Sequence, residues 1–163
     1  MGHIKQLTIP IAEQCLYVLD DRQQVVCQYP VSTSKYGSGN RDGSYQTPLG
    51  RHHVSDKIGA GADEQEVFIG RQAQGRLDAL QQQGVELPND IIMARILRLA
   101  GDEPGVNQGD DVDSYRRYIY IHGTSEQALI GQPASHGCIR MRNRDVIELF
   151  DMVEPNTAVL IEP

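Results

Sequence analysis

The stretch from Tyr118 to Met141, YIYIHGTSEQALIGQPASHGCIRM, sets one cysteine and two histidines among glycines and serines. Cys138 closes the run Ser135-His136-Gly137-Cys138, and a cysteine attacks as its thiolate. With a free-thiol pKa of about 8.5, little thiolate exists at neutral pH, so a base or a positive environment must supply it. His122 and His136 are the nearest histidines in sequence, and Arg140 adds positive charge just beyond the cysteine. Gly137 permits an unusual turn and close substrate approach. An inert buried thiol is the common fate of a cysteine, but these flanks argue against it here. The spacing leaves the base open. His136 shares a face with Cys138 if the segment is extended, and His122 ends an apolar run where a histidine is often only a satisfied core residue.

The rival chemistry is metal binding. His52, His53, His122, His136 and Cys138 are all zinc-ligand types. No pair has the usual short ligand spacing and no carboxylate stands beside the histidines, so neither a metal nor another cofactor is expected.

These residues need a scaffold. Alternation predicts strands at Ile4–Ile9, Cys15–Leu19, Val25–Tyr29, Arg51–Asp56, Val67–Ile69 and Thr157–Glu162, with a hairpin loop at Asp20–Gln23. Ser34 to Ser44 is crowded with turn formers and reads as a long loop. Helices are expected at Arg76–Gln83, stopped by Gly84, and at Arg144–Val153 with Asn143 as N-cap. Ile91–Leu99 fits a short helix or a buried strand. Many short strands with few helices favour a β-sandwich or partly open barrel, in one domain spanning 1–163.

A formal net charge of −7 does not point to nucleic acid or an anionic membrane as partner. No run approaches the roughly 18 apolar residues of a membrane span. The N-terminus MGHIKQLTIPIAEQ has no signal-peptide core, so the expectation is a cytoplasmic protein, or a periplasmic one if a leader has been removed. Cys15 and Cys27 lie in apolar runs as small core hydrophobes, with a bridge between them the less favoured reading.

Ile119-Tyr120-Ile121-His122-Gly123-Thr124, followed by Ser135-His136-Gly137-Cys138-Ile139-Arg140-Met141, resembles the signature of the L,D-transpeptidase (YkuD-type) family. Thr47-Pro48-Leu49-Gly50 resembles the family's TPxG element, and the last helix and strand resemble its C-terminal end. The resemblance implies a mainly β fold, a YkuD-like β-sandwich with a few short helices. It implies Cys138 as nucleophile, His122 as base and the Gly123 carbonyl orienting the imidazole, which resolves the choice between the histidines. His136, Ser135 and Gly137 would shape the site, with amides near Gly137 and Cys138 facing an oxyanion. Arg140 would hold a substrate carboxylate, with Tyr120 and Thr124 as further substrate contacts.

The implied donor is a peptidoglycan or muropeptide tetrapeptide, cut between meso-diaminopimelate and D-alanine through an acyl-enzyme. Carbapenem-type inhibitors are implied as ligands. Water as acceptor gives an L,D-carboxypeptidase suited to muropeptide recycling, the favoured outcome. A second stem or a D-amino acid gives an L,D-transpeptidase. A catalytically silent wall-fragment binding module is the alternative of another class. The segments Arg76–Leu99 and Gly101–Asp113 are expected to cover the site.

Overall fold

A computed structural model describes residues 3–163. Ten strands form one hydrogen-bonded sheet: β1 Ile4–Pro10, β2 Cys15–Asp20, β3 Val25–Pro30, β4 Gly50–Ile58, β5 Glu66–Ile69, β6 Gln72–Arg76, β7 Ile92–Gly101, β8 Tyr120–Thr124, β9 Ile139–Met141 and β10 Ala158–Glu162. Two α-helices, α1 Leu77–Gln82 and α2 Asn143–Met152, complete the described elements with three short 3₁₀ turns. The strand order runs β3-β2-β1-β10-β4-β7-β5-β6, and β8 leaves it by pairing with β7 and β9. The expected mainly β class holds, as one curled sheet wrapped around a core.

That core takes residues from β1, β2, β4, β7, β8 and β10: Leu7 and Ile9, Leu16 and Val18, Val54, Leu97 and Leu99, Ile121, Val159 and Ile161. Helix α2 lays Val146, Leu149 and Phe150 against it. At about 1.5–3 kcal/mol per fully buried large aliphatic side chain, this layer dominates the folding free energy.

Strand β7 is central. It pairs with β4 through Ile96–Gly101, with β5 through Ile92 and Met93, and with β8 along its other edge. Buried on both faces, it shows no alternation, which is why Ile91–Leu99 read equally as helix or strand. Of the expected cover Arg76–Leu99, Ile92–Leu99 is thus a central strand instead, while Asp90 reaches His136 and Arg140 beside the site. Gly101–Asp113 is pinned to the sheet, where Asn107 Nδ2 donates to Leu49 O at 3.1 Å and to Arg51 O at 3.0 Å. The Asp42 N–H donates to Asp111 O at 2.6 Å, so the pinned loop props up the Ser34–Ser44 loop.

The assignment of Asn143 as N-cap is also corrected. Arg142 is the extended residue preceding α2, and Asn143 is its first helical residue. The Asn143 side chain turns to the sheet, where Oδ1 accepts the Thr124 N–H at 2.8 Å, and Gln127 Oε1 accepts the Asn143 N–H at 2.9 Å. Cys15 and Cys27 are free thiols, and the hairpin register sets Cys27 opposite Val18 instead.

Two histidines serve the scaffold. His53 pairs with Asp102 at 2.6 Å, while buried His52 lies 3.0 Å from Gly50 O and 2.8 Å from Ser114 Oγ. Burial pulls His52 from 6.5 down to about 4, against weaker opposing pulls from the Gly50 bond and Asp102. The unfolded chain therefore protonates first on acidification. This stabilisation is intact above pH 6.5 and is lost as pH falls towards 4, about 3 kcal/mol in all. Urea midpoints taken from about pH 7 to about pH 4.5 are expected to fall, and to fall less in His52→Gln. An equal fall in both proteins would contradict this.

Candidate active site

Strands β8 and β9 run parallel with His122 beside Arg140. Alternation then decides which side chains meet. Ile121, Ile139 and Met141 enter the core, while Tyr120, His122, Cys138 and Arg140 share the opposite face. Two short runs far apart in sequence thus deliver a thiol and an imidazole to one surface.

A bulge in β7 adjoins this pair. Between Met93 and Ile96 the strand carries Ala94 and Arg95 unmatched, against Gly123 and His122 in direct succession on β8. Ala94 has φ 72°, an uncommon value for a residue with a Cβ, and Arg95 Nη1 clamps the bulge by donating to Ala94 O and Ala62 O at 2.8 and 2.7 Å. Gly123 fits beneath it because it lacks a side chain. A Cβ there would stand 2.4 Å from Asn143 Oδ1 and 2.5 Å from Met93 O.

His122 is fully buried, and its Nδ1 lies 2.5 Å from Gly123 O. That bond places the proton on Nδ1 and leaves Nε2 as a base, and Nε2 has no hydrogen-bond partner. Burial depresses the imidazole pKa most, helped by the charge of Arg140 and opposed by Asp90 and the Gly123 bond. The ring is neutral at physiological pH.

Cys138 is half-buried at the base of a pocket of about 290 Å³ that is also lined by Asp42, Gly43, Tyr45, Arg117, Ile119 and His136. Its Sγ accepts the Tyr120 N–H at 3.3 Å and its S–H donates to Tyr118 O at 3.3 Å. Burial, the largest influence, pushes the thiol up to about 12, with Asp90 adding to it and the Tyr120 N–H, Arg140 and Arg117 opposing. The resting pair is therefore thiol and neutral imidazole, and no hydrogen bond joins them. Catalytic hydrogen bonds are often long or absent before substrate binds.

The turn that presents Cys138 is tied by Ser135, whose hydroxyl donates to Cys138 O at 2.6 Å and accepts the Gly137 N–H at 3.3 Å. Of the two amides expected to face an oxyanion, the Gly137 N–H is thus engaged and the Cys138 N–H is not held in that bond. Gly137 itself has φ 127°, and Thr47 Oγ1 donates to its carbonyl at 3.0 Å, which gives the TPLG turn its purpose.

The remaining expected residues lie as follows. His136 is partly exposed on the pocket wall, 3.7 Å from Asp90 through Nδ1, and shapes the turn less than Ser135 does. Arg140 is 1% exposed and donates to Asp90 Oδ1 at 2.8 Å, so its guanidinium sits behind the site rather than in the pocket. The Tyr120 side chain is buried with its hydroxyl accepting from Arg71 at 3.1 Å, and Thr124 is buried with Oγ1 accepting the Glu126 N–H at 3.1 Å. No cluster of metal-ligand side chains occurs among the described residues. Sequence reasoning did not find Arg117, Asp42 or Asp90. The first two sit on loops without a local motif, and Asp90 precedes the run Ile91–Leu99 without one.

The model of the L,D-transpeptidase catalytic domain (YkuD) matches residues 5–161. The chain belongs to this family. The Escherichia coli (strain K12) protein named "Probable L,D-transpeptidase YcfS" is 32% identical over 155 residues, covering 95% of this chain and 43% of that protein. The chain thus spans under half the length of that relative. The fold of the L,D-transpeptidase from Xylanimonas cellulosilytica superposes with a TM-score of 0.60 at 20% identity, over 99% of this chain and 61% of that one. L,D-transpeptidase 3 from Mycobacterium tuberculosis, solved in complex with a faropenem-derived adduct, gives 0.57 at 16% identity over 97% and 60%. In this L,D-transpeptidase domain the family signature coincides with the face that carries His122 and Cys138.

Proposed function

We propose that the protein is a cysteine acyltransferase that cuts the bond between meso-diaminopimelate and D-alanine in peptidoglycan tetrapeptides, with water as the usual acceptor. The observation that carries this reading is the pairing of β8 with β9, which aligns an unpartnered His122 Nε2 and the Cys138 thiol on one face. As Sγ attacks the carbonyl carbon, its proton passes to Nε2. The Sγ–C bond forms and the carbonyl oxygen gains charge near the Cys138 amide. The C–N bond then breaks, and the imidazolium returns the proton to the departing amine of D-alanine. Neutral resting groups suit this path, because transfer and attack are coupled and no stable ion pair is needed.

In the second half, His122 takes a proton from the acceptor, which attacks the thioester and releases Cys138. A pocket of about 290 Å³ has room for water or an amino acid as the acceptor. The family description favours the second reading, transfer to the amine of another stem or of a D-amino acid. In this proposal the substrate is a soluble muropeptide in the cytoplasm, an assignment that cell fractionation tests. A penem or carbapenem is proposed to acylate the same thiol, supported by the faropenem-derived adduct of the Mycobacterium tuberculosis neighbour.

Incubation with a disaccharide-tetrapeptide, followed by mass spectrometry, separates these outcomes. Loss of D-alanine alone is expected. A joined dimer or an exchanged terminal residue would replace hydrolysis with transfer, and no change with either donor or acceptor would overturn both.

A further inference from the structure

The pocket beside Cys138 contains two opposite charges that do not neutralise each other. Arg117 lines it with a half-buried guanidinium whose partners are all uncharged: Gly39 O at 3.3 Å, Gln46 O at 2.6 Å and Ser44 Oγ at 3.4 Å. Asp42 lines the same pocket, and its carboxylate takes part in no ion pair or side-chain hydrogen bond among the described residues. Its backbone is held by Asp111 O, so the carboxylate is carried on a braced loop. Arg140, the other cation near the thiol, is 1% exposed and does not line this pocket. The cation open to a ligand in this pocket is therefore Arg117.

We propose that Arg117 and Asp42 form a subsite for a zwitterionic amino-acid centre, Arg117 taking its carboxylate and Asp42 its ammonium. The guanidinium is already fixed by three acceptors, so little side-chain freedom is lost when a carboxylate binds. Its partners are neutral, so a carboxylate entering the pocket displaces no other anion. Asp42 and Arg117 line one pocket without forming an ion pair, an arrangement that suits a ligand bearing both charges. Two sources share this chemistry: a free D-amino acid, and the free amino-acid end of a diaminopimelate side chain. The assignment deepens the proposed acyl-transfer reading and rests on it for what the subsite serves.

The test does not need turnover. Alkylation of Cys138 by iodoacetamide is followed by mass in the presence of D-alanine, N-acetyl-D-alanine (carboxylate alone) or D-alaninamide (ammonium alone). D-Alanine is expected to protect best. Asp42→Asn should raise the half-protecting concentration of D-alanine and D-alaninamide at least about fivefold and leave N-acetyl-D-alanine unchanged. Arg117→Gln should weaken D-alanine and N-acetyl-D-alanine. If Arg117→Gln loosens its loop and weakens all three, the selective pattern in Asp42→Asn still decides. Equal protection by all three compounds in the wild type, or no change for D-alaninamide in Asp42→Asn, would overturn the proposal.

The KM for a tetrapeptide with diaminopimelate at its third position, compared with lysine there, separates the two sources. A rise in Arg117→Gln confined to the diaminopimelate substrate assigns the subsite to the donor side chain. Equal KM values beside weakened D-alanine protection assign it to a free amino acid. Turnover with no selective protection would sink the subsite and spare the acyl-transfer reading. Selective protection without turnover would do the reverse.

Discussion

His122→Ala is expected to lower kcat/KM for tetrapeptide cleavage by about a thousandfold or more, whereas His136→Ala stays within about tenfold. The difference comes from position. His122 is buried, its Nδ1 is held by Gly123 O and its Nε2 is free to take a proton. His136 is exposed on the pocket wall with Asp90 3.7 Å away. The thiol, raised to about 12, supplies very little thiolate on its own at neutral pH, so removing the base removes the route to attack. The pH profile carries a second signature. Burial lowers the His122 pKa, so its neutral form persists below the ordinary 6.5 and the acid limb of kcat/KM should fall below that value. Collapse of activity in His136→Ala with a mild effect in His122→Ala would transfer the base role.

Gly123→Ala should cost about 2–4 kcal/mol of stability and most of the activity, although only one methyl group is added. That methyl would stand 2.4 Å from Asn143 Oδ1 and 2.5 Å from Met93 O, both held in place. Relief means breaking the Thr124–Asn143 bond or spreading β8 from the β7 bulge. Either movement shifts the carbonyl that orients His122. Urea unfolding and turnover of the same preparation measure the two effects. Gly137→Ala makes a useful contrast: its added Cβ would come no closer than 3.4 Å to Gln46 O, so its cost arises from φ 127° instead of overlap. Wild-type stability in Gly123→Ala would contradict the packing described for the strand pair.

Much of this site was legible in the sequence because the chemistry is concentrated in two short runs. The His122-Gly123 pair and the Ser135-to-Cys138 turn carry the proposed nucleophile, the proposed base, the carbonyl bonded to its ring and the tie across the turn. Strands with one buried face were legible from alternation, as in β1 and β2. Strand β7 was not, since burial on both faces erases the period that separates strand from helix. Asn143 showed the local signature of a cap, but the Thr124 N–H claims its side chain across the fold. Arg117 and Asp42 had no signature at all. Arg117 joins the pocket by bonding Gln46, 71 positions away, and such pairings follow from topology and not from neighbouring residues. Arg140 was conspicuous in sequence, yet its burial against Asp90 became evident only in the fold.

In the proposed reaction Cys138 attacks an acyl carbonyl. The most direct measurement is the intact mass of the protein after incubation with a carbapenem, followed by peptide mapping of the adduct. One covalent adduct is expected on the peptide containing Cys138, absent in Cys138→Ala and formed far more slowly in His122→Ala. An adduct that persists in Cys138→Ala, or an unmodified wild-type protein under conditions that keep its thiols reduced, would contradict it.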